Sequence, residues 1–236
     1  MNFQGPQSYG VAPTQQSTSG VAGFMQRVYG FMAAGLGVTA ITALGVSSSP
    51  TALQIVFGTP GVFMALIIAE LLAVMAFSFL AQRISAAGAT ALFFLYALLN
   101  GVTLSAIFMV YTLGSIGVTF FVCASTFGAM SVFGAVTKRD LSGLGHFAMM
   151  GLFGLIIASL VNMFLASPML YWLTTYVGVI VFVALTAYDT QKIREMYLGG
   201  YAGDGHKAAV HGALVLYLDF VNLFLYLLRL FGRRRD

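Results

Sequence analysis

Four ionisable side chains stand well inside stretches apolar enough to enter a lipid bilayer: Glu70, Asp189, Asp219 and Arg229. A charge at the bilayer centre costs about 2.5–3.5 kcal/mol on insertion scales, so such groups turn toward a protein interior and mark sites of function. Asp189 lies in the run LTAYDTQKI (185–193), and Asp219 lies in LYLDFVNLFLYLLRLFG (216–232). At helical spacing Gly212, Val215, Asp219, Asn222, Tyr226 and Arg229 share one stripe, while Leu214, Leu218, Val221, Leu225 and Leu228 share another. The expectation is a last helix that turns a polar seam toward the protein.

The chemistry open to these acids follows from their depth. Asp189 lies about one turn inside Lys192, and Asp219 about two turns beyond His211, so their backbones differ by roughly one turn, ~5 Å. Helical side chains lean toward the N-terminus of their own helix. On two neighbouring antiparallel helices the two carboxyls are therefore aimed at one depth. Two carboxylates at ~4 Å repel by about 4 kcal/mol at an effective dielectric of 20, and a single shared proton relieves that repulsion. The alternative is two unrelated acids, each bonded to a neighbouring helix. Glu70 reads either as a third ligand or proton-relay member, or as a protonated structural acid. Asn222 is expected to serve the pair as a neutral donor; like Asn100 and Asn162, it also reads as interhelical glue. Arg229 is expected to snorkel to the interface.

The elements that must position these groups are membrane helices. Of the 236 residues 59% are hydrophobic and 8% are charged, against about 25% charged in soluble domains. The net charge of +4 comes from loops and the Arg233–Arg235 tail, which suits membrane orientation and excludes a nucleic-acid-binding face. The lone Cys123, within an apolar run, excludes an internal disulfide and reads as a small buried hydrophobe. Residues 1–23, uncharged and rich in Gln, Ser, Thr and Gly, read as a disordered tail with no signal-peptide character. Residues 24–236 read as one membrane domain. A bilayer core of about 30 Å takes about 20 helical residues, and seven segments meet that length: 24–46, 61–81, 88–111, 115–136, 146–166, 170–192 and 210–231.

Loops 47–60, 111–115 and 166–169 carry no lysine or arginine, whereas Arg27, Arg83, Lys138, Arg139, Lys192, Arg194 and Lys207 fall at the other side. The positive-inside rule then puts the N-terminus and the stretch 190–209 in the cytoplasm. Seven spans send Arg233, Arg234 and Arg235 outside, against the same rule. Either the tail is carried across, or the last segment re-enters and returns.

The motifs LYLDFVNLFLYLLRLFG, YVGVIVFVALTAYDTQKI (176–193), TKRDLSG (137–143) and ASLVN (158–162) resemble the Bax inhibitor-1 family, above all its bacterial inner-membrane branch. The likeness runs from about Phe24 onward. It implies an all-α membrane bundle of seven helices with the last surrounded by the other six. It further implies a pH-sensitive calcium leak in which Asp189 and Asp219 form the proton sensor and a weak, transient calcium site. Glu70 matches the family's acid in the second helix. One branch of the family pairs the dyad with an arginine, and the matching position here is Ala81. Arg83, two residues on, points about 200° away around the helix and reads as a positive-inside anchor. The dyad is then expected to lack an arginine partner. Some bacterial members modulate a membrane-bound protease, so a non-transporting modulator of another membrane protein is the alternative.

No cofactor motif is present, and calcium with protons would be the permeant species. The chain is not expected to be an enzyme. An intramembrane aspartyl protease would share the pair Tyr188-Asp189 but needs Gly-x-Gly-Asp second, where this chain has Leu216-Tyr217-Leu218-Asp219.

Overall fold

The computed structural model describes residues 18–80, 83–200 and 203–235, and shows helices with no extended strand among them. In order they are α1 (Thr18–Ser47), α2 (Pro50–Leu53) continuing into a π-helical turn (Gln54–Gly58), α3 (Val62–Leu80), α4 (Ala86–Leu104), α5 (Ile107–Val110), α6 (Leu113–Val136), α7 (Ser142–Leu165), α8 (Pro168–Leu198) and α9 (Gly205–Phe231). Six stretches are each long and apolar enough to cross a bilayer: α1, α4 with α5, α6, α7, α8 and α9. Pro50–Gly58 and Val62–Phe77, bent by 81° where they join, pass the same test only together, so the spans number six, or seven where the bent pair crosses as one. The protein is a helical integral membrane bundle.

The breaks between spans carry the caps that polar turn residues provide. Ser49, Ser85 and Ser167 each accept a hydrogen bond from the first turn of the helix that follows, and Pro50 and Pro168 open two of those helices. At the turn from α7 to α8, Ala166 takes a left-handed conformation (φ 48°), and the Ser167 amide donates to Asn162 Oδ1 at 2.9 Å. Asn162 thus caps the end of its own helix and does not bridge two helices.

Two boundaries differ from the sequence expectation. α1 begins at Thr18, so residues 18–23 are helical, while residues 1–17 of the expected tail lie outside the described residues. The stretch 190–198 continues α8 and is not part of a loop. One contact explains both: Phe24, fully buried near the start of α1, stacks on Tyr197 near the end of α8 with ring centroids 4.5 Å apart. Tertiary packing extends each helix past its apolar run.

The last helix is central. α1, α4, α6 and α8 pack directly on α9, whereas α3 packs on α4 and α7 on α8. Four helices thus supply most of the packing on α9, and α3 and α7 reach it at its margins, through Phe77 on His211 and along the cleft of Ser159 and Asn222. Of the six long apolar helices α9 is the most enclosed and α7 the least. The two-sided stripe expected for α9 is absent. Leu214, Val221 and Leu228 are buried like Asp219, and the partly exposed line runs through His211, Val215, Leu218, Asn222, Leu225 and Arg229. Lipid is as apolar as leucine, so residue polarity does not mark which face meets protein.

α9 is one continuous helix of 27 residues, about 40 Å long at 1.5 Å per residue. It crosses and does not return. Beyond it, Thr112 N donates to Arg233 O at 3.0 Å and Arg235 N donates to Val110 O at 2.9 Å, so the arginine tail is pinned beside the α5–α6 junction. That is the opposite end of the bundle from Arg83, Lys138, Arg139 and Lys207.

Candidate functional site

α8 and α9 run antiparallel, and small residues fix their register. A Cβ on Gly178 would strike the Tyr226 ring, and one on Gly212 would press on Ile193 Cγ2 at 3.0 Å. Interpolating between these contacts sets Asp189 level with residue 215 or 216 of α9, about one turn from Asp219. The lean of each side chain closes that interval, which brings the carboxyls of Asp189 and Asp219 beside one another. Asp219 is buried (5% exposed) and Asp189 is half-buried.

No N–H or O–H group among the described residues donates to Asp219 Oδ2, which is fully enclosed. The Asp189 carboxyl is the neighbour of this group across the α8–α9 seam, and two carboxyls bond only when one of them carries a proton. A buried acceptor without a donor costs about 1–3 kcal/mol. The positive charge that acts on Asp189 is Lys192, one turn along α8. Its Nζ donates to Tyr188 OH at 2.8 Å and lies 5.2 Å from that ring's centroid. The pair is expected to have no cation beside it; Lys192 enters because it shares a helix face with Asp189 at i+3.

α8 is held in place from the α6–α7 connection. Gln191, two residues beyond Asp189, accepts from Leu141 N and donates to Arg139 O, both at 2.9 Å. The two motifs TKRDLSG and YDTQKI are thus clamped together by one amide. Gln191 is not among the residues expected from the sequence, although an amide at the end of an apolar run is a signal for such a role. Outside the membrane span, the Ser142 hydroxyl and amide hold the Asp140 carboxyl below the usual carboxylate range.

Glu70 does not join the pair. Its Oε1 accepts from Thr103 Oγ1 at 2.5 Å and its Oε2 from Asn100 Nδ2 at 3.4 Å. Asn100 Oδ1 accepts from Tyr217 OH at 3.2 Å, and Tyr217 OH meets Thr39 Oγ1 at 2.6 Å. This chain of bonds links α3, α4, α9 and α1. Tyr217 is two residues before Asp219 and so points about 200° away around α9. The expected cluster of three acids is therefore two separate polar sites flanking α9, because α3 packs chiefly on α4 and meets α9 through Phe77, stacked on His211, one end away from Asp219. Asn100 does bridge helices. Asn222 does not reach the pair: its Nδ2 donates to Leu218 O, one turn back, at 2.8 Å. It lines an outer cleft with Ser159 and Tyr226.

The profile of the family described as "Inhibitor of apoptosis-promoting Bax1" matches residues 21–236. "Inner membrane protein YbhL" of Escherichia coli (strain K12) is 49% identical over 223 residues, covering 93% of this chain and 95% of that protein. The chain belongs to the Bax inhibitor-1 family. An uncharacterized protein of Deinococcus radiodurans, 44% identical over 229 residues, covers 96% of this chain and 97% of its own length. An uncharacterized protein of Borreliella burgdorferi is 47% identical over 215 residues, which is 90% of this chain and 93% of that one.

Of the arginine positions that the Bax inhibitor-1 resemblance brings into question, Ala81 lies outside the described residues. Arg83 is exposed in the turn before α4.

Proposed function

We propose that this protein is a pH-sensitive calcium leak of the bacterial inner membrane, gated by a proton held between Asp189 and Asp219, with its N-terminus in the cytoplasm. The observation that carries the reading is the meeting of two carboxyls inside a membrane-spanning bundle, one of them enclosed without a donor. Losing the proton sets two negative charges against each other at a cost of about 4 kcal/mol at ~4 Å and a dielectric of 20, which is enough to bias a conformational equilibrium. The ionised pair offers oxygen ligands to a divalent cation. Tight calcium sites use six to eight oxygens. Two carboxyls with neighbouring carbonyls, lacking Glu70 and Asn222, make a weaker site, and weak sites release an ion in transit. The membrane assignment draws on the name of the YbhL relative, and the orientation draws on the distribution of lysine and arginine. The role is one of transport, with no catalytic residue assigned.

Calcium flux into liposomes that hold the purified protein tests this across pH. Asp189→Asn and Asp219→Asn should each flatten the pH response, because an amide donates to the remaining carboxyl at every pH. Leu225→Ala, outside the pair, should leave the profile in place. A profile equally steep in both aspartate variants refutes the gate. A protein that passes no calcium at any pH would instead be a modulator of another membrane protein, such as a membrane-bound protease.

A further inference from the structure

At the end of the bundle where α7 turns into α8 and the tail leaves α9, an open cavity of about 610 Å³ is lined by Tyr111, Tyr171, Trp172, Arg229 and Arg234, with Ser167 and Pro168 at the α8 N-terminus. None of the described residues that line it is acidic. Arg229 has its guanidinium carbon 5.7 Å from the Tyr171 ring centroid and 5.1 Å from that of Tyr226. Stacking engages the flat face of a guanidinium and leaves its in-plane N–H donors free. Arg234 lies against the Tyr111 phenol, and the pairing of its segment with the α5–α6 junction fixes its backbone. Among the described residues neither guanidinium is paired with a carboxylate.

The depth of the cavity adds to this. Trp172 and Tyr176 stack 6.1 Å apart and are 44% and 54% exposed. Exposed Trp and Tyr at a helix end mark the headgroup level of a bilayer. Two arginines on a rigid frame, with a helix N-terminus beside them and no acid, form a receptor for an oxyanion that arginine forks match in shape.

We propose that this cavity binds a phosphate anion, carried by an anionic phospholipid headgroup or free in solution. The site is independent of the aspartate pair and of any ion flux.

Trp172 is the single tryptophan of the chain, so its emission reports on the cavity alone. The purified full chain in an uncharged detergent is titrated with short-chain phosphatidylglycerol, with inorganic phosphate and with an uncharged short-chain diacylglycerol. A saturable change with phosphatidylglycerol is expected, weakened roughly tenfold or more by Arg229→Gln or Arg234→Gln. Arg235→Gln removes the same charge from a residue that donates to Phe108 O outside the cavity, and should leave the curve in place. A response to inorganic phosphate at equal concentration assigns the site to the free anion, and its absence assigns it to the lipid; both support an anion site. Equal curves in all three arginine variants, or an equal response to diacylglycerol, overturn it. Asp236 lies outside the described residues. A phosphate response found only in Asp236→Asn would mean that the chain's own carboxylate occupies the cavity, which also overturns the proposal. Unchanged thermal unfolding of Arg229→Gln and Arg234→Gln separates lost binding from lost fold.

Discussion

The support of Asp189 from α6 yields a sharp test, because Gly134 rests directly on the backbone of α8. A Cβ at position 134 would sit 2.9 Å from the carbonyl carbon of Ala187 and 3.0 Å from its Cα, and would press on the carbonyl oxygen as well. Carbon contacts of this kind settle at about 3.5–4.0 Å, so Gly134→Ala must part α6 and α8 by about 0.5–1 Å. The obstacle is main chain, two residues before Asp189, and it has no rotamer by which to withdraw. Overpacking of this sort costs about 1–3 kcal/mol. Against it stands the gain of replacing a mid-helix glycine, which is at most about 1 kcal/mol. The net expectation is a loss of about 1–2 kcal/mol, or roughly 2–8 °C in unfolding temperature by the scaling of domains this size. Gly128→Ala lies on the same helix, and its new Cβ would meet nothing within 4 Å. It keeps the propensity gain without the clash and should unfold at or slightly above the wild-type temperature. Thermal unfolding of both variants in one detergent decides the matter. If Gly134→Ala unfolds no earlier than Gly128→Ala, the close approach of α6 to α8 is wrong.

Tyr217→Phe should cost about 1–2 kcal/mol, because it strips the buried bonds to Asn100 and Thr39 while keeping the ring packed on Phe93 and Tyr96; chemical unfolding in mixed micelles would read it, and no loss would refute the network. Gln191→Ala releases two loop bonds and should speed hydrogen exchange at the Leu141 amide roughly tenfold, so unchanged protection there would show that the clamp is idle. Single cysteines at Gly203 and Gly58 in a Cys123→Ser background should label from opposite faces of the membrane, and labelling from one face would refute the span count between them.

Much of this could be read along the chain, because the relevant physics is local. Hydrophobic length marks the spans, and rise per residue with side-chain lean aims Asp189 and Asp219 at a common depth without knowledge of any neighbour. Serine and proline at the breaks announce the caps. What the chain does not spell out is adjacency. Glu70 looks like a companion of the two aspartates in depth and chemistry, yet the packing of α3 on α4 sends it to Asn100 and Thr103 on the far side of α9. Asn222 sits one turn from Asp219 and still bonds to its own helix. Lys192 reads as a topology marker and acts on Asp189 as well. The face of α9 that meets protein is the clearest case. In water, polarity would mark the outer side of a helix, but in a bilayer both sides are apolar. The enclosure of α9 on nearly every side, and with it the burial of Asp219, is settled by which helices pack around it.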